Sequence, residues 1–281
     1  KAMKTLQLLL ALFFSTLTSE YLLAQCAAPT AQADLDIGNV RARIMNGADM
    51  WWDAVAGVGP KYEVPKGSGK HSLFAGALWI GGRDAVGQLH LAAQTYRQGG
   101  VSDFWPGPLD TTSCSITPSS CLQYDRVWKI NRQDVVDFIG GSPATGDMIS
   151  YPGNNGMPWH FLAPFYDANS DGVYNSTDGD YPDFGSSGTP YCCSTLHGDQ
   201  AIWWVINDAG NNHTASGCAP LGIEIRCQAF AFQSTDQDIN NTTFYQYLLV
   251  NCTSIAYNSI YFGYFGDPEL GNYHDDYVGC D

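Results

Sequence analysis

The residues best placed to do chemistry lie in one short stretch, "DANSDGVYNSTDGDYP", Asp167 to Pro182. It holds four aspartates, two asparagines and two glycines in sixteen residues. Counted from Asp167, oxygen-bearing side chains stand at positions 1, 3 and 5 (Asp167, Asn169, Asp171), at 9 (Asn175) and at 12 (Asp178). Gly172 follows at 6 and Val173 at 7. Calcium takes six to eight hard oxygens at about 2.3–2.6 Å. Alternate side chains at 1, 3 and 5 can wrap one hemisphere of such an ion. A glycine at 6 permits the sharp turn, the residue at 7 offers its backbone carbonyl, and an acid at 12 closes the far side. The expected cofactor is therefore calcium, with a structural role, held by Asp167, Asn169, Asp171, Val173, Asn175 and Asp178. Asp180 and Asp183 either add ligands or stand in solvent.

This spacing is that of the EF-hand loop, with Asp in place of the usual final Glu. "DANSDGVYNSTD" also resembles the calcium loop of dockerins almost residue by residue. The likeness ends at "GDYPDFG", where Gly179 and Pro182 disfavour the helix a dockerin needs. The resemblance implies the ion and not a cohesin partner.

Other clusters carry less pattern. "GDPELGNYHDDYVGCD" offers Asp267, Glu269, Asp275 and Asp276 as a second possible metal cluster, matching no fixed template. Trp51–Trp52 and Trp203–Trp204 suggest stacking on sugar, with Trp52 and Trp204 as the candidate contacts. Neighbours on a strand point to opposite faces, so one Trp of each pair is expected in the core. The histidines show no H-x-x-x-H or H-x-H spacing for zinc. No G-x-S-x-G surrounds Ser194, so "HGD" at His197 is not part of a nucleophile elbow. No catalytic residue is assigned.

The elements that must position these residues read as β-structure. Thirty glycines and fourteen prolines in 281 residues favour turns and short strands, and 44% hydrophobic residues supply a core. The net charge of −15 argues against a nucleic-acid partner, whose phosphates need cationic surface. "FAGALWIGGRDAVGQLHLAAQTYR" predicts a hairpin. "NRQDVVDFIGG" predicts a short helix capped by Asn131 and ended by Gly140. "AIWWVIND" reads as a buried strand. In "GIEIRCQAFAF", Ile223, Ile225, Cys227, Ala229 and Ala231 share one face by period two. In "TTFYQYLLVNCT" the apolar face is Phe244, Leu248, Val250 and Cys252. The expected fold is all-β and mainly antiparallel, a β-sandwich or jelly-roll with long loops and at most two short helices.

Residues 1–24 read as a secretory signal, with Lys4 ahead of the apolar run "LQLLLALFF" and cleavage after Ala24. The rival reading is a lipid anchor on Cys26, against which the bulky Gln25 counts. No membrane-spanning segment is expected in the mature chain. A polar leader, 25–33, precedes a β-rich part, 34–165; the calcium loop is 166–183 and a sandwich part is 184–281. Nine cysteines in an exported chain suggest disulfides. "CSITPSSC" suggests a local staple between Cys114 and Cys121, and Cys218 and Cys227 could clip neighbouring segments. The start "KA" before Met3 and the end "DDYVGCD" suggest a piece of a longer protein.

Several phrases together, "DIGNVRARIMNGADMWWD", "YEVPKGSGKHSLFAGALWIGG", "GDQAIWWVINDAGNNH" and "DPELGNYHDDYVGCD", resemble the N-terminal region of large exported proteins of the Bacteroidota. Those proteins end in a type IX secretion sorting domain. The resemblance implies a secreted or cell-surface location and a multi-domain parent, and little about activity. The expected function is structural or adhesive, toward a surface polymer, glycan or protein. The alternatives are a carbohydrate-binding or accessory region of a polysaccharide-degrading enzyme, and a hydrolase using C-terminal carboxylates.

Overall fold

The computed structural model describes residues 26–154, 162–185, 195–272 and 274. The signal segment, Cys192, Cys193, Asp275, Asp276 and Cys280 lie outside them.

The first sheet begins with β1 (Gln32–Leu35) against β2 (Arg41–Met45), antiparallel, with Asp34 opposite Arg43. Arg43 Nε donates to Asp34 across that register at 2.5 Å. β3 (Asp49–Met50) follows, then a small hairpin of β4 (Trp52–Asp53) and β5 (Val58–Pro60), then β6 (Tyr62–Glu63). The long β7 (His71–Arg83) and β8 (Leu89–Ala93) form the hairpin that the sequence predicts, with Asp84 N–H donating to the Gln88 carbonyl at 3.1 Å in the turn.

The second sheet is built from β9 (Trp105–Pro106), β10 (Trp128–Asn131), β13 (Gln200–Asn207), β14 (Ile223–Ala231) and β15 (Phe244–Asn251). Between them β11 (Phe165–Tyr166) and β12 (Tyr181–Pro182) make a separate two-stranded ladder. The last strand, β16 (Asn258–Pro268), returns to the first sheet beside β7. Both sheets thus draw strands from before and after the acidic loop. Among the described residues there are three short α-helices: α1 (Pro118–Tyr124), α2 (Arg132–Ile139) and α3 (Gln237–Asn240). That is one more than the sequence predicts, and the fold is all-β and antiparallel as expected. No helix among the described residues is long and apolar enough to cross a membrane.

The sheets pack face to face. Leu35, Ile44, Leu78 and Ile80 of the first meet Ile202, Trp204, Ile206, Ile225 and Cys227 of the second in one buried cluster. Alternation places these residues: on β14 every second side chain from Ile223 to Ala231 enters this core. β13 is buried along its whole length because its other face is covered too. Ala201, Trp203 and Val205 point into a second cluster with Trp128, Val135, Met148, Tyr151, Phe165 and Phe184. That cluster lies under a layer of helices, 3-10 turns and loops drawn from residues 124–154 and 162–184. On β15 the expected face is reversed. Tyr245 and Tyr247 pack on the sandwich core, while Phe244 stacks on Phe230 at 5.2 Å on the opposite face. The tyrosines win the core side because their rings fill it, and Leu248 stays 37% exposed.

α2 forms where expected, but Asn131 spends its side chain on Asp134 rather than on a backbone N–H. The Cys114–Cys121 staple does not form. Cys121 is bonded to Cys26 instead. Thr117 caps α1 through Ser120 N–H, and the helix turns Cys121 inward, where it is 3% exposed. Cys114 lies before the helix in a left-handed turn, with its sulfur on the Cys252 carbonyl. The six residues of turn and helix between them therefore aim the two sulfurs at different partners. Cys218 and Cys227 are free thiols, and Cys227 is sealed in the sandwich core.

Candidate metal centre

The acidic loop is an excursion between β11 and β12, whose ladder pairs Phe165 with Pro182 and Tyr166 with Tyr181. The Tyr166 and Tyr181 rings stack at 4.8 Å, closing the neck. Within the loop, Asp167 is 4% exposed, and its carboxylate accepts from Gly172 N–H at 2.8 Å and Asp171 N–H at 3.3 Å. Asn169 Oδ1 also accepts from Asp171 N–H, at 3.0 Å, and Asp171 Oδ1 accepts from Val173 N–H at 2.8 Å. Gly172 adopts φ 75°, a left-handed turn that glycine makes without strain. Asn154 Nδ2 donates to the Gly172 carbonyl at 2.7 Å and ties the turn to the layer beneath. The side chains at positions 1, 3 and 5 thus accept from the backbone of one tight turn.

The far side differs. Asn175 Oδ1 caps the 3-10 turn Ser176–Asp178 through Thr177 N–H at 3.1 Å, and its Nδ2 donates to Asp178 Oδ2 at 2.7 Å. The residue that joins the two sides is Asp180, which is fully buried. Its Oδ1 accepts from Ala168 N–H and its Oδ2 from Asn175 N–H, each at 2.8 Å. Asp183, 1% exposed, accepts from Gly185 N–H at 2.7 Å. Neither is solvated. Spacing could not single out Asp180, because its role depends on two amides twelve and five residues away.

Burial pushes the Asp180 carboxyl up, its two N–H donors pull it back, and the charges of Asp167 and Asp171 add to the rise. Burial and Asp180 also raise the Tyr174 hydroxyl, which donates to the Met148 carbonyl at 2.5 Å. The loop offers hard oxygens, the donor type calcium takes, and like charges that a cation would relieve. Among the described residues, no group of three or more His, Cys, Asp or Glu converges tightly enough to hold a metal. The first half of the loop carries oxygens of the type calcium takes; Asp178, engaged by Asn175, would have to swing in to join them.

The other sequence candidates disperse. Asp267 accepts from the Tyr96 hydroxyl at 2.8 Å, and burial together with Asp267 pushes that tyrosine up to about 12. Glu269 is anchored through its backbone to Ser72, and their proposed companions Asp275 and Asp276 lie outside the described residues. Trp52 and Trp204 are each 2% exposed, so neither can stack on a sugar. Trp51 and Trp203 are buried as well. The expectation that one Trp of each pair stays outside fails because β13 has a core on both faces, and Trp51 is enclosed by Tyr62, Tyr245 and Tyr264.

Sequence reading also missed a buried polar cluster around His213. Its two ring nitrogens each lie 2.7 Å from a carbonyl oxygen, of Leu91 and of Asp208. The carboxylates of Asp103 and Asp208 stand beyond at 3.7 and 3.9 Å. Asp103 accepts from the N–H groups of Ala93, Ala215 and Ser216, and Asp208 from those of Leu221 and Ile223. The three side chains are sealed from solvent, so this knot fixes loops together and meets no substrate.

Compared with known proteins, the chain matches no family model, no curated protein and no solved structure.

Proposed function

We propose that this chain is a β-sandwich module of an exported surface protein of the Bacteroidota kind, with a structural or adhesive role, stabilised by calcium and disulfides. The partner would be a surface polymer, glycan or protein. The observation that carries the reading is the Asp167–Gly172 turn. Asp167, Asn169 and Asp171 already accept from backbone N–H groups there, beside a buried Asp180 raised by burial and further by the charges of Asp167 and Asp171. Such a site gains most from a divalent cation. The ion would stand in for a hydrophobic core over a long loop and lock it to the layer beneath. The Cys26–Cys121 bond agrees with an oxidising compartment, and Cys26, the rival lipid acceptor, has its sulfur in that bond. With Trp52 and Trp204 in the core, no observation favours a sugar platform built on them.

The test is thermal unfolding with excess calcium and with a chelator, in the chain and in Asp171→Ala. An ion at a hundred times its dissociation constant stabilises by about 2.7 kcal/mol, a rise of about 5–10 °C for a domain this size. That rise should vanish in Asp171→Ala. Equal melting with and without calcium would end the metal reading.

A further inference from the structure

Two free thiols meet beside the Cys26–Cys121 bond. The turn before α1 is closed by Asp110 N–H to the Ser115 carbonyl at 2.9 Å and by Cys114 N–H to the Asp110 carbonyl at 2.8 Å. This closure sets Cys114 at φ 51° and aims its sulfur at Cys252, just past the end of β15, 2.5 Å from its carbonyl oxygen. Cys252 is fixed by its own N–H to the Gly222 carbonyl at 3.2 Å, and its sulfur lies 3.4 Å from the Asp110 carbonyl. Each sulfur thus lies against the backbone of the other's segment, Cys114 Sγ on Cys252 and Cys252 Sγ on Asp110. Cys252 also packs on the small cluster of Cys26, Trp105, Leu109, Ile116 and Cys121. Both thiols are partly exposed, so an oxidant can reach them, unlike Cys227 in the core.

We propose that Cys114 and Cys252 form a second disulfide, closing the turn before α1 onto the end of β15. Two segments 138 residues apart would be joined. The oxidant is a thiol–disulfide exchanger, a small disulfide such as oxidised glutathione or a protein of that chemistry. One cysteine thiolate attacks a sulfur of the oxidant's disulfide, whose other sulfur leaves as a thiol. The second cysteine loses its proton and attacks the resulting mixed disulfide, and the remaining oxidant sulfur leaves. The pair loses two protons and two electrons, and the oxidant's disulfide becomes two thiols. Burial and the neighbouring Cys114 push the Cys252 thiol up to about 12, which keeps its thiolate scarce and makes bond formation slow near neutral pH. With both bonds made, the segment from Cys114 to Cys121 would be pinned at one end to β15 and at the other to the N-terminal arm. The inference does not depend on calcium.

The experiment incubates the folded chain in a glutathione redox buffer, quenches with acid, alkylates free thiols and maps peptides without reduction. Trypsin and chymotrypsin leave Cys114 and Cys121 on one peptide, so the mapping is also run on Cys26→Ser/Cys121→Ser. In that variant the expected product is the Cys114 peptide joined to the Cys252 peptide in most molecules. In the unmodified chain, electron-transfer fragmentation of the linked peptides should resolve both bonds, which settles the matter if the double variant does not fold. Cys252→Ser should leave Cys114 alkylated and the Cys26–Cys121 bond in place. Alkylation of both Cys114 and Cys252 in the unmodified chain, or Cys114 joined to any other cysteine, would overturn the proposal.

Discussion

The two faces of β13 are buried by different means. On one, Ile202, Trp204 and Ile206 meet a second regular sheet, and apolar side chains from both sheets fill the space between. On the other, Ala201, Trp203 and Val205 meet a layer in which short elements alternate with loops. Backbone groups in the first region are satisfied by the ladders. In the second they need side chains: Trp128 Nε1 donates to the Ser150 carbonyl at 2.7 Å, Tyr151 Oη to the Pro164 carbonyl at 3.0 Å, and Asp147 Oδ2 accepts from Lys129 N–H at 2.8 Å. Buried polar atoms must find partners, so an irregular layer is held by individual contacts where a sandwich is held by area. The acidic loop sits on the irregular side, and its fate turns on single residues.

The largest effect should come from the regular side. Trp204→Ala removes a ring enclosed by two sheets that cannot close over the gap, and should cost about 3–5 kcal/mol. Trp203→Ala empties a similar volume against loops that can move inward, and should cost clearly less. Urea denaturation of both variants checks this, and the loss in Trp204→Ala should be the same with calcium or chelator. Equal losses for the two tryptophans would break the contrast between the faces.

Asp180→Ala comes next. It removes the acceptor of the Ala168 and Asn175 N–H groups, which water can reach in part, at about 0.5–1.5 kcal/mol for each. Asp180→Asn keeps one good acceptor and should recover about half of that. Hydrogen exchange should show the opening confined to the loop and its neck, with the sandwich strands unchanged. A uniform loss of protection across β13 and β14 would mean that the loop layer and the sandwich unfold as one body. Asn175→Ala, which removes a cap from a 3-10 turn, should cost about 1 kcal/mol in the same assay.

The same contrast governs how much could be read in advance. The β7–β8 hairpin, α2 and the inward face of β14 were legible, because period and turn chemistry are local properties of "LWIGGRDAVGQLHL", "NRQDVVDFIGG" and "GIEIRCQA". The turn from Asp167 to Gly172 was legible for the same reason. What escaped depends on contacts distant in sequence. Glu224 and Gln228 alternate like solvent-facing residues, yet both are buried, because Leu109 N–H donates to Glu224 and His197 N–H to Gln228. Trp204 reads as the outward member of its pair, yet it enters the sandwich core, and a loop layer covers Trp203 on the other face. Cys121 is nearest Cys114 in the chain, but a helix stands between them and turns it to Cys26.

The smallest expected effect is on proton binding, and it separates metal from polar stitching most directly. In the folded loop the Asp180 carboxyl lies above its ordinary value of 3.8. An acid so raised holds its proton more tightly folded than unfolded. Its contribution to stability is therefore full below the ordinary value and is lost as pH rises through the raised one. Without calcium, ionising Asp180 thus works against the loop, since Asp167 and Asp171 add to its rise. A divalent ion held by Asp167 and Asp171 would cancel those charges and let Asp180 ionise at lower pH. Carbon-13 NMR of the Asp180 carboxyl should give a midpoint above 3.8 in chelator and a lower one with calcium. A midpoint that calcium leaves in place would mean that backbone N–H groups alone hold this loop, and that its acidity serves the turn itself.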